Sequence, residues 1–250
     1  MKTPRLFRLP ENTAPRLAMD TTALIQKLHS GGFALTRPAT TVSFLRHANA
    51  IAADGGHDSN RLISDKGRKQ CAVMRETHTR FMKFNAIYRS PLPRVDQTLM
   101  GLGIDTGDAV IIPQLVIESG LETHQCGVID AAYEILGGVG LASIMKYKEV
   151  AYAMDVYAAT ALEALYEQFE ALPQWTVAVP VAKEWGPARF HVIAAGHGWF
   201  NPLLAYYLAG SNEVAKRHLL QHAMGECEII QVGVNDTGEP HWERFACPSV

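Results

Sequence analysis

Residues 41–50 read TVSFLRHANA. Thr41 to Leu45 are β-branched, aromatic or aliphatic apart from Ser43, which predicts a short buried strand. That strand delivers Arg46 and His47 to its carboxyl end. On its amino side, DTTALIQKLHS (20–30) sets Ala23, Leu24, Ile25 and Leu28 at helical spacing. Asp20 or Thr21 can cap this helix and Gly31-Gly32 can stop it. Residues 1–18 carry Pro and Arg without a period and read as an arm. On the carboxyl side comes a polar segment with Asp54, Gly55 and Gly56. Ser64 then caps a helical run, SDKGRKQCAVMRETHTRFM, with Cys71, Met74, His78 and Phe81 near one face.

Further along, strands and helices alternate. NAIYRS (85–90) is a second strand and VDQTLMGLG a helix stopped by glycine. VIIPQLVIE (110–118) contains a third strand or extended segment. Tyr133 to Leu172 is mostly helical, most clearly in VYAATALEALYEQFEAL (156–172). Residues 173–189 read as a loop. FHVIAAGHG (190–198) is a strong strand, and NPLLAYYLAG a helix with Asn201 as cap and Pro202 in first position. CEIIQVGV is the last strand. The alternation predicts an α/β fold, a three-layer α/β/α sandwich with a mainly parallel central sheet. The division expected is an arm and short helix over 1–40 and one α/β domain over 41–250.

Composition narrows the function. The chain has 250 residues, with 23 Lys+Arg against 25 Asp+Glu, a formal charge of −2. It is 48% hydrophobic and 19% charged, ordinary globular values. A surface built wholly for nucleic acid needs a basic excess, so no nucleic-acid partner is expected. The four cysteines have no CxxC spacing and are too few for a disulfide scaffold. No signal-peptide core and no run of about 18 apolar residues occurs, so a cytoplasmic protein with no membrane partner is expected. His218 and His222 stand at i, i+4, but without the glutamate of the metalloprotease motif; no metal is assigned.

In parallel sheets the site lies outside the carboxyl ends of the strands. There the chain brings Arg46 and His47, then Ser90 to Arg94, then Gly196 to Gly198 with His197. Two arginine forks near each other match a tetrahedral oxyanion, phosphate above all. A neutral histidine beside them can attack phosphorus, and a second can stabilise the transferring group. The chemistry indicated is phosphoryl transfer through a phosphohistidine. It needs no cofactor, because the cations already neutralise the phosphate.

Four segments in order resemble the histidine phosphatase superfamily, which includes the cofactor-dependent phosphoglycerate mutases. FLRHANA (44–50) resembles its arginine-histidine-glycine signature. ISDKGRKQ (63–70) resembles the stretch that follows it, YRSPLPRVDQT (88–98) its SPLxRAxQT motif and AAGHGWFNPLL (194–204) its second-histidine motif. The resemblance implies that His47 is the nucleophile, that Arg46 and Arg94 bind the phosphate, and that His197 is the second histidine. Asn49 lies where members place a polar residue near the phosphate, and Arg61 is a candidate to reach the substrate. For the general acid, Glu118 is the candidate and Glu122 the runner-up. The sequence departs from the pattern at Ala48, where glycine is usual, and at Arg89, where a small residue is usual. The function expected is a phosphatase acting on a small phosphomonoester, a phosphohistidine or a phosphoprotein. A phosphoglycerate-type mutase and a catalytically silent phosphate-binding module are the alternatives. The oligomeric state is not legible.

Overall fold

A computed structural model describes residues 20–52, 58–136, 139–172, 179–180, 187–188 and 190–250. The arm expected over 1–18 and most of the loop expected over 173–189 lie outside these. In chain order the elements are α1 (Thr21–His29), β1 (Thr40–Arg46), α2 (Asp65–Thr77), β2 (Ala86–Arg89), α3 (Pro93–Gly101), β3 (Val110–Ile111), α4 (Ile117–Gly120), α5 (Thr123–Leu136), α6 (Leu141–Ile144) and α7 (Lys148–Ala171). They continue with β4 (Val179–Pro180), β5 (Pro187–Ala188), β6 (Phe190–Gly196), α8 (Phe200–Leu208), α9 (Glu213–Leu220), β7 (Ile229–Val234) and β8 (Pro240–Phe245).

The caps follow local chemistry. Asp20 Oδ1 accepts from the Thr22 N–H at 3.0 Å, and Ser64 Oγ accepts from the Gly67 N–H at 3.1 Å. Each satisfies a donor that the first helical turn cannot. Pro93 opens α3, where its missing N–H costs nothing. Gly31, past the end of α1, takes φ +77°, a left-handed conformation natural to glycine.

Six strands form the main sheet in the order β3-β2-β6-β1-β7-β8. β3, β2, β6 and β1 run parallel, β7 is antiparallel to β1, and β8 is antiparallel to β7. Alternate strand residues face opposite layers. Val42, Phe44, Val192, Ala194 and Val232 pack with the buried faces of α1, α5, α7, α8 and α9. Leu45, Ile193, Ala195 and Ile229 pack with Cys71 and Met74 of α2 and Val95 and Leu99 of α3. Helices therefore cover both faces, as the three-layer reading expects. Leu24 and Leu28 of α1, with Phe33 after it, are part of the first of these cores. No helix among the described residues is long and apolar enough to cross a membrane.

The strand expected within 110–118 is present as β3 and is two residues long. Pro113, which cannot donate to a ladder, starts a 3-10 turn, and α4 follows it. Asn201 is not a cap: α8 begins at Phe200, and Asn201 is buried in its first turn. β8 was not foreseen, since PHWERF alternates weakly and borders the edge of the sheet.

The register fixes the site. Arg46 pairs with Gly196 across β1 and β6, and Arg89 pairs with Ala195 across β2 and β6. The carboxyl ends of three strands thus meet along one edge.

Candidate active site

His47 leaves the end of β1, and its backbone N–H donates to the Gly196 carbonyl at 3.2 Å. Its Nδ1 lies 2.8 Å from the Ala48 carbonyl. A carbonyl only accepts, so Nδ1 carries the proton and Nε2 keeps its lone pair. The His197 ring stands edge-on to it with centroids 5.3 Å apart. His197 Nε2 lies 3.1 Å from Ser90 Oγ, and that hydroxyl also accepts from the Leu92 N–H at the start of α3. One serine therefore joins the ends of β2 and β6.

Both imidazoles are held neutral. Burial pushes His47 down to about 4, helped by the charges of Arg94, Arg46 and Arg61 and opposed by the Ala48 hydrogen bond. Burial, then His47, Arg94 and Arg46, hold His197 well below its ordinary value. A neutral imidazole among guanidiniums can attack an anion that the guanidiniums hold.

Arg46, Arg61, Arg94, His47 and His197 all line one cavity of about 550 Å³. Arg94, in the first turn of α3, is only 5% exposed. Arg46 donates to the Met224 carbonyl. Its guanidinium passes over Gly198, where a Cβ would come within 2.8 Å of Nε. Arg61 donates through Nε to the Ile51 carbonyl at 2.7 Å. Arg89 does not line the cavity and pairs with Asp96 at 3.2 Å.

The remaining candidates divide. Glu118, on α4, lines the cavity, and Glu122 does not. Glu122 lies 3.3 Å from His124 instead. Asn49 does not line the cavity either. Its Nδ2 donates to Glu226 Oε1 at 2.8 Å, and its Oδ1 accepts from Ser64 Oγ at 2.5 Å. The expectation that Asn49 touches substrate therefore gives way to a supporting place one residue back.

That place explains the S-x-x-G-x-x-Q spacing of residues 64–70. All three residues meet Asn49. The Ser64 N–H donates to the Asn49 carbonyl at 2.9 Å. Gly67 leaves room for that carbonyl, which a Cβ would approach to 2.2 Å. Gln70 Oε1 accepts from the Asn49 N–H at 2.8 Å. Ser64 caps α2 and Gly67 and Gln70 follow along one face of it, so the start of the helix clamps the segment after His47. Thr98 of α3 does likewise, accepting from the Ala48 N–H at 3.0 Å and donating to the Arg94 carbonyl at 2.7 Å.

Sequence reasoning missed Glu226, Asp130 and Tyr133, which also line the cavity. Tyr133 stands edge-on to Trp199 at 4.8 Å between centroids. Burial works to raise the Glu226 carboxyl, but hydrogen bonds from Asn49 and Gln70 and the charges of Arg46 and Lys66 outweigh it and hold it below the usual range. The signal for Glu226 is topological. β7 is antiparallel to β1, so its amino end lies beside the carboxyl end of β1.

Solved structures share this architecture. A mycobacterial glucosyl-3-phosphoglycerate phosphatase superposes with a TM-score of 0.51 at 19% identity, over 84% of this chain and 100% of that one. A protein titled mycobacterial hydrolase 2 superposes with a TM-score of 0.52 at 21% identity, over 84% of this chain and 92% of the other. The protein has the histidine phosphatase fold. A third structure, mycobacterial hydrolase 1, gives a TM-score of 0.51 at 22% identity, over 84% and 99% of the two chains. No family model and no curated protein matches the chain. The four segments 44–50, 63–70, 88–98 and 194–204 all border the one cavity or hold a residue that does.

Proposed function

We propose that the protein is a phosphatase that hydrolyses a small phosphomonoester through a covalent phosphohistidine on His47. The observation that carries this reading is the pair of neutral imidazoles, 5.3 Å apart, in a cavity shared with Arg46 and Arg94. Arg46 and Arg94 hold the phosphoryl oxygens. His47 Nε2 attacks phosphorus, and the ester P–O bond breaks. Glu118 gives a proton to the leaving oxygen, then takes one from the water that attacks phosphohistidine. Inorganic phosphate leaves and His47 is restored. The His197 imidazole gains proton affinity once the dianion sits beside it and stabilises the charge spread over the transferring group.

Charge favours a phosphatase over a mutase of sugar acids. Asp130 and Glu226 line the same cavity, and they repel a substrate that carries its own carboxylate. Glu226, held ionised, is a poor proton donor, which leaves Glu118 the better acid. A cytoplasmic location is supported by the four cysteines, all free thiols.

Rapid mixing with a ³²P-labelled phosphoester and an acid quench after single turnover tests the mechanism. An acid-labile protein label that is absent in His47→Ala is the expected result. Turnover without any label, or a label that survives in His47→Ala, overturns it. Arg94→Ala should raise the barrier by ~3 kcal/mol, as loss of an oxyanion donor does.

A further inference from the structure

The cavity of about 550 Å³ is far larger than a phosphate ion needs. Drug-sized ligands fill cavities of roughly 300–1,000 Å³, so room remains for a substantial leaving group. Beyond the imidazoles and arginines, apolar side chains supply much of the wall. They include Ile117 of α4, Ile129 and Tyr133 of α5, and Trp199 and Phe200 where α8 begins.

Packing accounts for four of these five. Ile117, Ile129 and Trp199 are buried, and Phe200 packs on the buried Tyr157 ring at 4.4 Å between centroids. It accounts less well for Tyr133. The buried face of α5 runs through Gln125, Ile129 and Ala132. Tyr133 stands beside that face, one turn beyond Ile129, and is 55% exposed. A lone exposed tyrosine elsewhere on the surface would need no explanation. This one lines the cavity, in edge-on contact with Trp199 at 4.8 Å between centroids. Trp199 follows His197 by two residues, which holds their Cα atoms within about 7 Å. The ring pair is therefore a neighbour of the reacting imidazoles. When His47 attacks phosphorus, the entering and leaving atoms stand roughly in line. The leaving group thus points away from His47 into the remaining volume.

We propose, resting on the phosphatase reading above, that Ile129, Tyr133 and Trp199 form a leaving-group subsite, and that the substrate is the phosphomonoester of an alcohol bearing an uncharged aromatic ring. That ring packs against Tyr133 and Trp199 while Arg46 and Arg94 hold the phosphate. It gains from apolar area removed from water and from aromatic pairing. A small polar alcohol gains neither. Asp130, between Ile129 and Tyr133 on α5, lines the same cavity and disfavours an acidic group on the ring. Tyr133 here is a specificity-determining residue: it selects the leaving group and takes no part in breaking the P–O bond.

The test compares two alkyl esters of similar leaving ability, 2-phenylethyl phosphate and propyl phosphate, on the full chain. The kcat/KM for the phenyl ester should exceed that for the propyl ester by about tenfold or more, within what an apolar pocket discriminates. In Tyr133→Ala that ratio should fall most of the way to one, and in Tyr133→Phe it should persist. A parent ratio near one, or a ratio unchanged in Tyr133→Ala, overturns the proposal. The same preference is read without turnover from 2-phenylethylphosphonate and propylphosphonate, which have no ester bond to break. Calorimetry should find the phenyl compound bound about tenfold more tightly, with the margin reduced in Tyr133→Ala. Equal affinities overturn the subsite. If neither ester is hydrolysed, the phosphatase reading alone is in question, and the phosphonate pair still decides the subsite.

Discussion

His47 is made nucleophilic by what surrounds it. Its Nδ1 proton is fixed on the Ala48 carbonyl, and burial with three arginines keeps the ring unprotonated. The free enzyme should therefore keep kcat/KM on the acid side until pH nears about 4, well below an ordinary histidine. A pH–rate profile with its acid limb near 6.5 would show that the ring is not so held. Stability moves the same way. The unfolded imidazole takes a proton near 6.5 and the folded one only near 4, so the unfolded chain binds more protons between those values. The contribution is complete above pH 6.5 and is lost as pH falls through that window; urea titrations across it check the sign. Gly198 is the other decisive single position. A Cβ there would reach Arg46 Nε at 2.8 Å. Gly198→Ala should lower kcat/KM by up to about 100-fold, as a misplaced positioning group can, while the melting temperature stays put. Unchanged kinetics would mean that the Arg46 guanidinium has room to move aside without loss.

α2 has two duties, and its glycine separates them. In a helix interior Gly→Ala ordinarily stabilises by about 1 kcal/mol. At Gly67 the new Cβ would meet the Asn49 carbonyl at 2.2 Å, whereas at Gly127 in α5 it meets nothing within 4 Å. Gly67→Ala should lower both the melting temperature and the activity, and Gly127→Ala should raise the melting temperature slightly. Equal shifts in calorimetry would remove the clamp on Asn49. This role was half legible. The family resemblance of ISDKGRKQ marks Ser64, Gly67 and Gln70 as a set, and Ser64 reads as a cap. That the set grips Asn49 was not legible, because the partner lies across a loop. The strand expected within 110–118 is present but short for a local reason: Pro113 cannot donate to the ladder and starts a 3-10 turn.

The sheet as assembled decides who reaches the cavity. β8 places Arg244 against the loop before β7. Its Nε donates to Glu228 at 2.6 Å, and its Nη2 donates to the Ala223 carbonyl at 3.1 Å. That loop carries Met224 and Glu226 into the cavity wall. Arg244→Met removes charge-assisted hydrogen bonds worth ~1.5–3 kcal/mol each. Phosphate affinity measured by calorimetry should fall about tenfold or more, though residue 244 lies outside the cavity. Affinity equal to the parent would show that the loop holds its shape alone.

Residue order along the chain was enough to expect strands ending in Arg46-His47 and Gly196-His197, the Ser64 cap and the α3 turn with Arg94. Those features depend on periodicity and on neighbours a few positions away, which any stretch of polymer displays. Glu226 and the anchoring by Arg244 came only with the fold. Each depends on β7 running antiparallel beside β1 and on β8 closing against it, and strand direction is set by which distant surfaces bury each other, not by any local pattern.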